Sequence, residues 1–227
     1  MKKLLLFLIV VSALVVAADR AAAWEAGQVL ADRLARAYQF DQPPDVQVQG
    51  TPFLTQWSSG QYQEVDVRAT GLTTSRVSIT NVSAQLHAVT TAAFATSSAD
   101  LAGATVREVD VQGLLPYASL SLPQGLQVAP QGNQLRLSGS ISAAGVSVPV
   151  SAIVSVSVQN GRLQLTAGQL NVPSAFARLG VASLVNRQLQ AASTALQLPM
   201  GAHLDTAAVT PTGLQVSASA TQVQLPG

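Results

Sequence analysis

From Val146 to Val158 every even position is apolar, and every odd position is Ser or Pro except Ile153. A backbone of period 2 sends those two sets to opposite faces of one strand. At about 3.3 Å per residue such a strand runs roughly 40 Å, against a usual length of about 5–6 residues. A strand that long needs a large, twisted antiparallel sheet around it, with the valine ladder turned to an apolar interior. The sequence therefore predicts an α+β fold in a single domain, dominated by one large antiparallel sheet.

Other segments fit into that sheet. Val65, Val67 and Ala69 alternate with Glu64, Asp66 and Arg68, which predicts one dry and one charged face. Residues 76–90 keep the alternation less cleanly, and the break between Ile79 and Val82 predicts a bulge. Val109 and Val111 alternate with Glu108 and Asp110 before Gly113-Leu-Leu-Pro116, which predicts a turn. Gly132-Asn133 turns the chain ahead of a short strand carrying Leu135 and Leu137. Gln159-Asn160-Gly161 reads as a tight hairpin, with Leu163 and Leu165 on the returning strand. Thr210-Pro-Thr-Gly213 leads into a last strand at 214–225.

Two helices complete the layout. Residues 24–38 form an amphipathic pattern with Leu30, Leu34 and Tyr38 at four-residue spacing, ended by Pro43-Pro44. Ser174 after Pro173 is a good N-cap for a long C-terminal helix reaching about residue 197, with Val181, Leu184, Val185, Leu189, Ala192 and Leu196 on one stripe. Between Asp45 and Tyr62 glycine and proline punctuate the chain, placing Phe53, Leu54 and Trp57 on a turn or short helix. These large residues plug the end of a core, or form a tip that touches a membrane.

Met1-Lys-Lys followed by the apolar run Leu4–Ala18 is an export signal. As a helix the run covers about 22 Å, short of the roughly 30 Å hydrocarbon core. Asp19-Arg20 closes the run and Ala21–Ala23 offers a small-residue cleavage site, so residues 1–23 read as a signal peptide cut near Ala23, or as a signal anchor. Either way residues 24–227 lie outside the cytoplasm, in the periplasm or cell envelope. They are soluble after cleavage, or held on the outer face of the plasma membrane.

Composition removes whole classes of function. Beyond residue 23 the chain carries nine Arg, no Lys and ten acids, with no basic patch for a phosphate backbone, so no nucleic-acid partner is expected. Cysteine is absent, which excludes disulfides, thiolate chemistry and Cys-ligated zinc. His87 and His203 stand without a neighbour at metal-ligand spacing, so both are expected to face solvent and no metal or cofactor is expected. Gly145-Val-Ser147-Val-Pro149 lacks the final glycine of a nucleophile elbow and lies in regular alternation. Glu64/Asp66 and Glu108/Asp110 are same-face carboxylate pairs beside Arg68 and Arg107, and read as solvated sheet faces. No enzyme is expected.

The leader with Ala18-Asp19-Arg20, the stretch Gly50-Thr-Pro52-Phe53-Leu54-Thr-Gln56 with Gly60-Gln-Tyr62, and the ending 198–204 with Val209-Thr-Pro-Thr-Gly213-Leu-Gln-Val216 form a set of short motifs. They resemble those of the DUF2993, or LmeA-like, phospholipid-binding family of actinobacterial envelopes. The likeness spans nearly the whole chain and makes residues 24–227 an LmeA-like domain. It implies a tubular lipid-binding (TULIP-like) fold, a large curved antiparallel sheet wrapped on the C-terminal helix. It also implies phospholipid binding and a role in envelope lipoglycan maintenance of the lipomannan type. The family's usual aromatic after the first glycine is Thr51 here, while Phe53 is kept.

A sheet of valine ladders with aliphatic helices either fills its interior or leaves a tunnel for a chain-like ligand. Small helix residues (Gly180, Ala182, Ala191 and Ala192) favour leaving room. The expected lining is Val146, Val148, Val150, Val154, Val156 and Val158 from the long strand, with Leu165 opposite. The helix adds Val181, Leu184, Val185 and Leu189. The expected partners are a phospholipid or other acyl lipid and the membrane surface. The competing expectation is a fully packed envelope protein that binds a membrane enzyme, such as an envelope glycosyltransferase.

Overall fold

The computed structural model describes residues 2–37, 40, 42–73, 78–95, 103–120, 126–143, 145–171, 173, 181–194 and 201–224. Its elements in chain order are α1 (Lys2–Ala37), β1 (Asp45–Val48), α2 (Phe53–Ser59), β2 (Gln61–Thr73), β3 (Ser78–Thr90) and β4 (Thr105–Pro116). A 3-10 turn (Tyr117–Ser119) precedes β5 (Leu126–Gln131), β6 (Gln134–Ala143), β7 (Val146–Gln159), β8 (Arg162–Asn171), α3 (Val181–Thr194), β9 (His203–Val209) and β10 (Gly213–Gln224). One sheet has the order β1-β2-β3-β4-β10-β9 and the other β5-β6-β7-β8. The α+β class, the large antiparallel sheet and the N-terminal helix are as expected. The sequence did not announce that the strands divide between two sheets.

The chain forms two compact units. One comprises Met1–Thr70, Ser83–Val111 and Ala220–Gly227, the other Gly71–Val82 and Gln112–Ser219. The division falls inside β2, β3, β4 and β10.

In the second unit β7 is the long strand read from the valine ladder. Val148, Val150, Ala152 and Val154 are all buried, while Val146 at its start is 46% exposed. Strand β7 pairs antiparallel with β6 (Leu135↔Val154, Ile141↔Val148) and with β8 (Val156↔Leu165, Gln159↔Arg162). Asn160 and Gly161 take φ of 53° and 69°, the two left-handed residues that a two-residue type I′ hairpin needs. Gly132, at φ 61°, turns β5 into β6. The register of β7 on β8 shifts between Ala152 and Val154, a bulge within an otherwise regular ladder.

Helix α3 lies on β8 and sends Val185 and Leu189 into the core. Its described part is fourteen residues, far shorter than the thirty-six of α1. The expected cap at Ser174 and the end near residue 197 lie outside the described residues.

In the first unit α1 is one unbroken helix, where the sequence predicted a leader closed by Asp19-Arg20 and a separate helix from Trp24. Nothing between Ala18 and Trp24 breaks a helix, and Ala21–Ala23 are the best helix formers available. The expected stripe of large residues is also displaced. Leu30 and Leu34 are half-buried, and Tyr38 lies outside the described residues. The buried stripe is Asp19, Ala23, Gly27 and Ala31, at strict four-residue spacing. Small residues let β1 come close: a Cβ on Gly27 would collide with the Val46 carbonyl oxygen.

Two further differences have local causes. Gly113-Leu-Leu-Pro116 continues β4 instead of turning, and Gly113 is needed there because a Cβ would sit 2.7 Å from Ile79 Cγ2. Strand β5 was not expected, because Pro130 and two glutamines hide its alternation. The predicted irregularity after Ile79 appears as Asn81 at φ 52° inside β3.

Candidate functional site

The structure brings most of the expected lining into one aliphatic cluster of the second unit. Val148, Val150 and Val154 of β7, Leu165 of β8, and Val185 and Leu189 of α3 are buried members of it. Val156, Val158 and Leu184 pack against it half-buried. Val146 does not join: it is exposed at the strand's start. The side chain of Val181 lies outside the described residues. Sequence reasoning did not assign the other buried members to the lining, among them Leu115 of β4, Leu135 and Leu137 of β6, Leu204 of β9, and Leu214 and Val216 of β10. They come from strands other than β7 and β8, and a strand's own alternation does not report which core its dry face joins. Tyr117 closes the border of this cluster: its hydroxyl donates to the Thr210 carbonyl at 2.5 Å, and burial pushes the phenol's pKa up.

The family-motif residues of the first unit converge on a single joint. The Asp19 carboxylate is buried at the middle of α1. Its Oδ2 accepts from Phe53 N at 3.0 Å and from Arg20 Nη2 at 2.8 Å, and its Oδ1 accepts from Leu54 N at 2.9 Å. The two N–H groups open α2, where backbone donors are left free and a negative charge is favoured. Arg20 and these two N–H groups hold the Asp19 carboxyl down at about 2. Arg20 also donates to the Gly50 carbonyl at 2.8 Å.

The rest of the motif shapes the same joint. The Thr51–Pro52 peptide is cis, and Phe53 is buried with its ring 6.1 Å from that of Tyr62. Gly60 ends α2 at φ 68°, with its N–H returned to Gln56 and Trp57 carbonyls. A Cβ at Gly60 would meet the Thr91 carbonyl oxygen, which explains the glycine twice over. Phe53 is thus a plug, Leu54 is exposed, and Trp57 is fixed by its indole N–H on the Ala95 carbonyl and by an edge contact with Phe94. Gly213, the remaining motif residue, lies in the second unit where a Cβ would strike the Leu115 carbonyl.

A pocket of about 740 Å³ opens beside α2 in the first unit. Gln56, Gln61, Gln63, Tyr62, Arg107 and Gln222 give it a mostly amide and hydroxyl wall, in which Arg107 is the one charged group. Two wall residues, Ala88 and Gln222, hold left-handed backbone at φ 50° and 53° without being glycine. Burial raises the Tyr62 phenol above its ordinary pKa. Such a wall can hold a hydrated polar or anionic group; no local pattern marks it, because its residues come from α2 and four separate strands.

Asp66 and His87 occupy less exposed settings than expected. Asp66 is buried within the face read as charged, where its carboxylate accepts from Gln49 at 2.7 Å and Gln85 at 3.4 Å, with Arg68 3.9 Å away. His87 is half-buried, with Nε2 3.3 Å from Asp110 Oδ2, while His203 is exposed beside Gly161. Among the described residues no three His, Asp or Glu side chains gather as metal ligands would. Ser147 is exposed on the outer face of β7.

Antiparallel sheets, an aliphatic core and, among the described residues, one helix long and apolar enough to cross a membrane define an α+β protein. A family model for LmeA-like phospholipid-binding proteins matches residues 17–219, and the chain belongs to that family. No curated protein and no solved structure matches it.

Proposed function

We propose that this is an exported protein that binds phospholipid by taking acyl chains into the aliphatic interior of its second unit, without making or breaking a bond. The observation that carries the proposal is the convergence of Val148, Val150, Val154, Leu165, Val185 and Leu189 in one cluster, in a unit with no buried charged side chain among its described residues. Membership of a phospholipid-binding family supports the same ligand. At about 0.8 kcal/mol per buried methylene, a sixteen-carbon chain gains on the order of 12 kcal/mol over water. A bilayer gives the same gain, so lipid exchanges between protein and membrane near balance.

The role follows from that exchange: holding or moving lipid for upkeep of the envelope and its lipoglycans, with the membrane surface as working partner. An envelope glycosyltransferase is the protein partner that such a role would serve. The test is mass spectrometry of a lipid extract from purified protein. Stoichiometric phospholipid is expected in the wild type, and its absence would sink the function.

A further inference from the structure

Export leaders that are removed end before the folded domain begins. Here the buried stripe Asp19-Ala23-Gly27-Ala31 runs through the expected cleavage point without a break. Cutting after Ala23 would remove the acceptor of the Phe53 and Leu54 N–H groups, the Arg20 bond to Gly50, and one of the two buried alanines on the α1 face. The family match itself starts at residue 17, ahead of that joint. Upstream the situation reverses. Every large apolar residue described from Leu6 to Val16 is at least 38% exposed, on the same helix.

We propose that α1 is an uncleaved signal anchor: its apolar half stays in the bilayer, and Asp19 latches the folded unit onto it where the helix emerges. This rests on the function proposed above only for its purpose, not for its geometry. The occupant of the exposed apolar face is a lipid bilayer, because that face goes all round the helix and is closed by charge at both ends. Lys2 and Lys3 stand at one end and Asp19-Arg20 at the other. Two lysines at the start hold that end on the cytoplasmic side, which puts the latch and all that follows outside.

The apolar run is short for a span, at about 22 Å against roughly 30 Å. Lysine stems reach to the interface and the bilayer thins locally to meet such a helix. Trp24, 64% exposed, and Leu54, 41% exposed and held to Asp19 through its N–H, then lie where interfacial apolar side chains are favoured. The latch makes the junction stiff, since helix and domain share one backbone and one buried carboxylate.

The experiment uses the full chain recovered from the envelope of expressing cells. Intact mass should match a chain starting at Met1, and the protein should stay with membranes through an alkaline carbonate wash. A chain starting at Asp19 or later, or release by carbonate, would overturn the anchor. A lipid extract of the same sample separates the two proposals. Phospholipid on a cleaved chain sinks the anchor and leaves the function, whereas an intact anchored chain without lipid does the reverse. For the latch, hydrogen exchange of the Phe53 and Leu54 N–H groups in detergent should quicken at least tenfold in Asp19→Ala and less in Asp19→Asn, which keeps one acceptor. The Leu135 and Leu137 N–H groups of β6 serve as the folding control. Unchanged exchange at Phe53 and Leu54 in both variants would remove the latch.

Discussion

Val154 is the position where the facing of the long strand can be tested most sharply. Its side chain is 1% exposed, opposite Leu135 on β6 and Ala167 on β8. Ser155, one residue on, points to the other face, where its hydroxyl accepts from Gln134 Nε2 at 2.9 Å. Val154→Asp gives up the burial of a valine, about 1.5 kcal/mol. It also leaves a carboxyl group in the core without a partner, about 1–3 kcal/mol more if it stays protonated. The total of about 2.5–4.5 kcal/mol is a large part of an ordinary domain stability of about 5–15 kcal/mol. Ser155→Asp keeps Gln134 as donor and should cost within about 0.5 kcal/mol. Circular dichroism in urea reads the first number, as a midpoint lowered by roughly 2 M for Val154→Asp. Phospholipid per protein, in extracts of both variants shown to be folded, reads the second: Val154→Asp should lose lipid and Ser155→Asp keep it. Val154→Ala provides the graded case, costing about 1–3 kcal/mol if side chains close the interior and less if an acyl chain fills the gap. Equal lipid retention in the two aspartate variants would refute the facing assignment.

Gly27→Val should destabilise the first unit by about 2–4 kcal/mol, because its Cβ meets the Val46 carbonyl oxygen and β1 must move away from α1; thermal unfolding measures it. Tyr117→Phe should cost about 0.5–1.5 kcal/mol through the lost bond to the Thr210 carbonyl, read from urea midpoints, and an unchanged midpoint would show that water replaces that bond. Wild-type protein should turn over none of a panel of lipid and glycan esters and glycosides. Turnover abolished by Ser147→Ala or Glu64→Gln would reveal a catalytic site.

What the sequence made legible is what repeats along the backbone. The β7 ladder, the Asn160-Gly161 hairpin and the last strand were readable because period 2 and paired left-handed residues leave marks within a few positions. The face of α1 is not legible from its large residues, because the packing depends on small ones: Ala23, Gly27 and Ala31 admit a neighbouring backbone that bulkier residues would hold off. The aliphatic site was half legible for a related reason. Strand β7 and helix α3 announce their faces over several turns or repeats, whereas Leu115, Leu204 and Leu214 belong to strands far along the chain from β7 whose shared core no local pattern reports. Asp19 belongs to a short sequence motif, but its partners at Phe53 and Leu54 are thirty-four and thirty-five residues away, a distance no local pattern reports.

A retained anchor changes what lipid binding can accomplish. A soluble carrier must hold its cargo against water across the whole envelope, and on the order of 12 kcal/mol per sixteen-carbon chain makes that possible only if the interior is closed during transit. A tethered protein stays within its own length of the membrane, at an effective concentration in the millimolar range typical of short linkers. It can take up and return a lipid many times without diffusing away. The charged joint at Asp19 matters in that setting because a loose tether would let the domain tumble, while two N–H bonds and a guanidinium on one buried carboxylate fix α2 to α1, the helix proposed as the anchor. Breaking that joint should therefore leave lipid affinity in detergent unaltered and slow the exchange of lipid with vesicles carrying the anchored chain. If Asp19→Ala exchanged lipid with such vesicles as fast as the wild type, a fixed orientation at the membrane would have no part in the transfer.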